Sequence, residues 1–160
     1  MKMGKIVIII GSKKDLEFAQ KIINFAQKFN VETILHISSA HKTPLHTLKI
    51  LNSYKGETVV FVTVAGRSNA LSGLVDANTT KPVIACPVYG EKFAGADIFS
   101  SLRMPSGVCP MVVLEPEEAA LAALKILALQ DTTIEKEILS YQLSKKDEII
   151  KNDEKIQNSP

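Results

Sequence analysis

The chain has no tryptophan, two cysteines among 160 residues, and a formal charge of only +2. Each scarcity argues against a class of function. With so little net charge, and no dense Lys/Arg block interleaved with aromatics, nucleic acid is not an expected partner. The longest apolar runs fall far short of a membrane-spanning helix. The opening MKMGKIVIIIGS resembles a secretion signal at first sight, but its apolar run is too short and it reads as a first buried strand. Cys86 and Cys109 each precede a proline and have neither metal nor redox spacing, which predicts two buried thiols and a cytoplasmic protein. No histidine or carboxylate pair stands at metal-ligand spacing, so no metal is expected. There is no Walker loop and no GxGxxG, which disfavours ATP and dinucleotides.

What is present is an ordinary globular balance, 46% apolar and 22% charged, with length for one domain around a single core. The centre of the chain is residues 59–73, VVFVTVAGRSNALSG. Its first six residues are apolar or β-branched with almost no alternation, as in a strand covered on both faces of a parallel sheet. The run stops at Ala65-Gly66 and delivers Arg67, Ser68 and Asn69 in succession. Comparable runs at 5–10, 31–37, 82–86 and 111–114 alternate with helical patterns at 13–29, 44–54, 69–77, 97–102 and from Pro116 onward. Residues 31–37 alternate more, which predicts a strand nearer an edge, and residues 88–95 read as loop. Repeated β-α units predict a three-layer α/β/α, flavodoxin-like doubly wound parallel sheet of order 2-1-3-4-5. In that order strands one and three diverge at their exits. Loops 11–15 and 65–69 then wall one crevice, with loop 38–43 at the same edge.

Residues 1–130 form the α/β domain in this reading, and 131–160 a C-terminal helical tail. Residues 119–129, AALAALKILAL, are apolar nearly all round, so one face needs cover beyond the sheet, and a second subunit is the simplest cover. The tail carries five basic and seven acidic residues and a thin stripe of Ile134, Ile138, Tyr141, Ile149 and Ile150. It reads either as a solvated, partly disordered helix with a frayed end or as an arm lying on a neighbouring subunit.

The polar loops carry the chemistry. Gly11-Ser12 before a helix offers backbone N–H groups and a hydroxyl to an anion, and Asp15 could accept hydrogen bonds from sugar hydroxyls. The plainer alternative is that Ser12 caps the helix and Asp15 complements its dipole. His36 and His46 fall within a strand and a helix and read as structural. His41 stands in a polar loop beside Ser39 and Lys42, where a group of pKa about 6.5 suits proton transfer. Lys42 and Arg67 come from two loops of one crevice and together suggest a small anionic molecule. Ser68 and Asn69 add neutral donors, with helix capping as their alternative role.

Read together, these residues resemble the PurE family of purine biosynthesis, which acts on aminoimidazole ribonucleotide (AIR). Gly11-Ser12 with Asp15 is similar to the family's first loop, and Ser39-Ala40-His41-Lys42-Thr43-Pro44 to its second. The similarity continues through Asn78 and Pro82-Val83-Ile84 to Ser101–Gly107 (SLRMPSG), covering roughly residues 5–129. Class I mutases of the family resemble AGGAAHLPG in the third loop, with Arg after the His of SAH. The present AGRSNALSG and SAHK resemble class II, the AIR carboxylases. The resemblance implies that AIR and carbon dioxide are joined directly to give carboxyaminoimidazole ribonucleotide (CAIR), with no cofactor, ATP or metal. It implies Ser12, Ser39 and Lys42 at the phosphate and Asp15 at the ribose. Gly66, Arg67 and Ser68 would meet carbon dioxide, Asn69 would contribute to binding, and His41 would be the base. A homo-oligomer, tetramer or octamer, is expected. The tail departs from class II and looks like that of class I chains. The alternatives are the class I mutase reaction and a non-catalytic nucleotide-binding module.

Overall fold

The computed structural model describes residues 4–88, 90 and 92–158. Strand β1 (Lys5–Ile10) is followed by a 3-10 turn (Lys13–Asp15) and α1 (Leu16–Gln27). Then come β2 (Glu32–Ile37), α2 (Pro44–Ser53), β3 (Val59–Val64), α3 (Ala70–Asp76) and β4 (Val83–Ala85). A 3-10 stretch (Lys92–Ile98) leads into α4 (Phe99–Leu102), β5 (Met111–Val112), α5 (Pro116–Ala128) and α6 (Thr132–Gln157). The loop expected at 88–95 is thus 3-10 from Lys92 onward, and its residues 89 and 91 lie outside the described set, as do tail residues 159 and 160.

All strands are parallel, in the order β2-β1-β3-β4-β5. β3 is buried at every position and β1 at all but Lys5, as their unbroken apolar runs require in the middle of a covered sheet. β2 is only partly buried, in keeping with its alternation and its place at the edge.

The side-chain period of two divides the core between the sheet's faces. Ile6, Ile8, Ile10, Val60, Val62 and Val64 pack with α1, α5 and the start of α6. Val7, Ile9, Val59 and Phe61 pack with Ile50 and Leu51 of α2 and with Leu71 and Val75 of α3. Ala119, Ala120 and Ala123 of α5 are fully buried, letting that helix lie close on the sheet.

Part of the cover expected from a second subunit comes from the chain itself, while Leu129 at the end of the run stays exposed. Ile134 and Ile138 of α6 join the core that α5 and α1 share. Tyr141 meets Phe25 and Phe29 edge-on, at centroid distances of 5.4 and 5.7 Å. Asp131 caps the helix, its Oδ1 accepting the Thr133 and Ile134 N–H groups at 2.9 and 3.4 Å. The tail divides at this point: every residue from Leu143 to Asn158 is exposed, Ile149 and Ile150 included. Cys86 is buried as expected, but Cys109 is exposed, because it lies on the irregular approach to β5 rather than in the core.

Candidate active site

A cavity of about 450 Å³ opens at the carboxyl ends of β1, β2 and β3. The first turn contributes Gly11, Ser12, Lys14 and Asp15, and the second Ser39, Ala40, His41 and Lys42. The third contributes Ala65, Gly66, Arg67, Ser68 and, from α3, Leu71. Its volume lies in the range usual for small-molecule sites. Three cationic side chains, Lys14, Lys42 and Arg67, face a single carboxylate, Asp15, among the described lining residues. Such a lining favours an anion.

The first turn is closed by its own polar groups. Gly11 N–H donates to the Val64 carbonyl at 2.8 Å, carrying the β1–β3 pairing one residue past the strands. Asp15 Oδ2 accepts both the Ser12 N–H at 2.9 Å and the Ser12 hydroxyl at 3.0 Å, and the Asp15 N–H returns to the Ser12 carbonyl at 3.1 Å. This reciprocal pair fixes where the serine and the carboxylate stand, so the capping role and a place in the cavity coexist.

The second turn is a hydroxyl knot. The Thr43 side-chain oxygen accepts the Ser39 N–H at 2.9 Å, and the Thr43 N–H donates to the Ser39 carbonyl, also at 2.9 Å. The Ser39 hydroxyl oxygen accepts the Lys42 N–H at 3.3 Å. Below them, buried Ser38 lies 2.7 Å from the hydroxyl of buried Thr47, anchoring the knot to α2. Pro44 at the first position of α2 adds a fixed φ where no N–H is needed. The backbone being tied internally, His41 and Lys42 are left exposed at the rim.

The third turn is the most constrained. A Cβ on Gly66 would lie 2.6 Å from the Val88 carbonyl oxygen, so only glycine fits where the ends of β3 and β4 close together. Arg67 follows at φ 63°, a left-handed conformation costing an L-residue roughly 1–2 kcal/mol. The structure sets Asn69 apart from the other expected contacts. It is 3% exposed and absent from the cavity lining. Its Oδ1 accepts the Ser72 N–H at 3.4 Å, and its Nδ2 donates to the Ser101 hydroxyl at 2.9 Å. It caps α3 and binds α4, the alternative role open to it from sequence.

Lys14 lines the cavity, although nothing in the sequence distinguishes it from a solvated lysine beyond its place two residues after Ser12. The other histidines lie elsewhere. His36 Nε2 is 2.8 Å from the Tyr54 hydroxyl, and burial pushes its pKa below the usual range, with the charge of His46 acting in the same sense. His46 is exposed on α2.

Comparisons with known proteins agree with this fold. The family model described as AIR carboxylase matches residues 5–148. A phosphoribosylaminoimidazole carboxylase of Archaeoglobus fulgidus is 57% identical over 152 residues, 95% of this chain and 84% of the relative. An N5-carboxyaminoimidazole ribonucleotide mutase of Methanocaldococcus jannaschii is 40% identical over 94% of this chain and 96% of its own. The crystal structure of Treponema denticola PurE superposes with a TM-score of 0.94 at 43% identity, covering 97% of this chain and 99% of that one.

Proposed function

The chain belongs to the AIR carboxylase (PurE) family of purine biosynthesis, and from that premise we propose that it joins AIR and carbon dioxide directly to give CAIR, without ATP or metal. The observation that carries this reading is the third turn. Arg67 and Ser68 border the same cavity as His41 and Lys42, and AGRSN beside SAHK resembles the class II pattern. Ser12, Ser39 and Lys42 receive the phosphate, Asp15 the ribose, and Gly66, Arg67 and Ser68 the carbon dioxide. The imidazole carbon of AIR is enamine-like and attacks carbon dioxide; a carbon–carbon bond forms and the ring carbon briefly carries both hydrogen and carboxylate. His41 then takes that hydrogen as a proton, its electron pair returns to the ring, and aromaticity is restored. A positioned base of this kind contributes roughly 100- to 10,000-fold. Asn69 supports binding indirectly, by holding the turn.

Purified enzyme offered AIR with bicarbonate, and separately the N-carboxylated ribonucleotide, tests the assignment. CAIR formation from the first alone is expected. Turnover of the second alone would support the class I mutase reaction instead, a reading favoured by the Methanocaldococcus jannaschii relative. A non-catalytic nucleotide-binding module would turn over neither.

Residues 1–130 act as the catalytic unit, with 131–160 as its helical extension. A homo-oligomer, tetramer or octamer, is supported by apolar side chains left bare on the single chain: Leu45, Phe99, Leu102 and Leu129. The exposed half of α6 is then an arm available to a neighbouring subunit. A cytoplasmic setting suits a biosynthetic enzyme with unpaired cysteines. Among the described residues no helix is long and apolar enough to cross a membrane.

A further inference from the structure

One hydroxyl 33 residues along the chain spans the left-handed turn at Arg67. Ser100 Oγ donates to the Arg67 carbonyl at 3.1 Å and accepts the Asn69 N–H at 3.0 Å. The backbone groups on either side of Ser68 are therefore tied to a single atom of α4. The same proton is shared with the Asp97 carbonyl at 2.8 Å, which holds the hydroxyl against its own helical turn. The neighbouring serine does different work. Ser101 is buried and pairs with the Asn69 amide, so its loss strands a buried donor and weakens the fold. Ser100 is exposed, and its loss releases the crest of the turn while the foot stays fixed.

We propose that Ser100 is a positioning residue for the reaction: its hydroxyl holds Arg67 in the left-handed turn that sets Arg67 and Ser68 at the cavity wall where carbon dioxide is received. The inference rests on the reading of Arg67 and Ser68 given under Proposed function. Without the tether, an arginine at φ 63° relaxes toward the ordinary right-handed or extended regions, and both side chains leave their places. Ser12, Ser39 and Lys42 stand on other turns, so the nucleotide's phosphate end is untouched.

Steady-state kinetics with carbon dioxide and AIR varied separately test this in Ser100→Ala, Ser100→Thr, Arg67→Ala and the double variant Ser100→Ala/Arg67→Ala. Ser100→Ala should raise KM for carbon dioxide about three- to tenfold, the effect of one lost hydrogen bond. KM for AIR should stay within about twofold, and Ser100→Thr, which keeps the hydroxyl, should restore the parent value. In the double variant Ser100→Ala should add less to Arg67→Ala than it costs alone, because part of its effect passes through the Arg67 side chain. Additive effects would overturn the proposal, as would a parent-like KM in Ser100→Ala when Arg67→Ala is impaired. A fall in Tm with kcat and both KM values moving together would also overturn it, by marking a structural role. An unimpaired Arg67→Ala would instead remove the underlying assignment of Arg67.

Discussion

Gly66 and Val88 stand so close that a methyl group on the one would lie 2.6 Å from the carbonyl oxygen of the other. The obstacle is backbone and cannot swing aside. Gly66→Ala is therefore expected to cost about 1–3 kcal/mol, as overpacking does, and to lower Tm by several degrees. Gly56→Ala is the control, because nothing lies within 4 Å of a Cβ there. Thermal denaturation of the pair checks the contrast; equal Tm values would show that the β3 and β4 ends can part.

His41→Asn should lower kcat by roughly 100- to 10,000-fold if the imidazole collects the ring proton. Binding of AIR, followed by calorimetry, should survive, because the phosphate and ribose contacts lie on other side chains. Near-parent turnover would reject the role.

The two cysteines should differ in reactivity. Burial, reinforced by the charges of Glu115, Glu117 and Glu118, pushes the Cys86 thiol up to about 12. At pH 8 its reactive thiolate is about one part in ten thousand. A disulfide reagent should titrate one thiol per native chain, Cys109, and two in denaturant. Two fast thiols in the native protein would contradict the buried position of Cys86.

His36 should make stability depend on pH. Burial lowers its folded pKa below the unfolded value of 6.5, so below about pH 6.5 the unfolded chain binds more protons. Stability then rises with pH through this window and is lost as pH falls. His36→Gln should show a shallower decline in Tm between about pH 7 and 5. A parent-like slope would place the effect on other groups.

Among the described residues, truncation after Gln142 removes only exposed ones, and it should leave Tm within a few degrees. Ile138→Ala, in the docked half of the same helix, should cost about 2–5 kcal/mol. Light scattering on the truncated chain tests the arm: an unchanged assembly mass would show that no neighbour is held by it.

Much of this molecule was legible in the residues, and the exceptions have physical causes. The β3 run is unambiguous because an unalternating β-branched segment has few other homes. Strand order followed from chirality and covered faces, and with it the meeting of three distant turns. Asn69 was ambiguous because a short amide after a strand suits a cap and a ligand equally; only burial separates the two. The left-handed turn at Arg67 was invisible, since glycine usually marks that region and arginine does not. So was the Ser100 tether, which joins residues that no periodicity relates. The share of the α5 cover that α6 supplies was missed because α6 carries so few apolar residues. Ile134, Ile138 and Tyr141 suffice because Phe25 and Phe29 supply the rest of the contact.

The cavity's three turns all lie within residues 11–71, whereas α5 and α6, which close one side of the sheet above them, begin at Pro116 and Thr132. On the ribosome, β1 and β3 can therefore pair long before that side is sealed. At about 5–20 residues per second the wait lasts several seconds, with Ile6, Ile8, Val60 and Val62 sheltered by α1 alone. A nascent chain thus carries its cleft early over a half-bare greasy floor, which α5 and α6 cover only later.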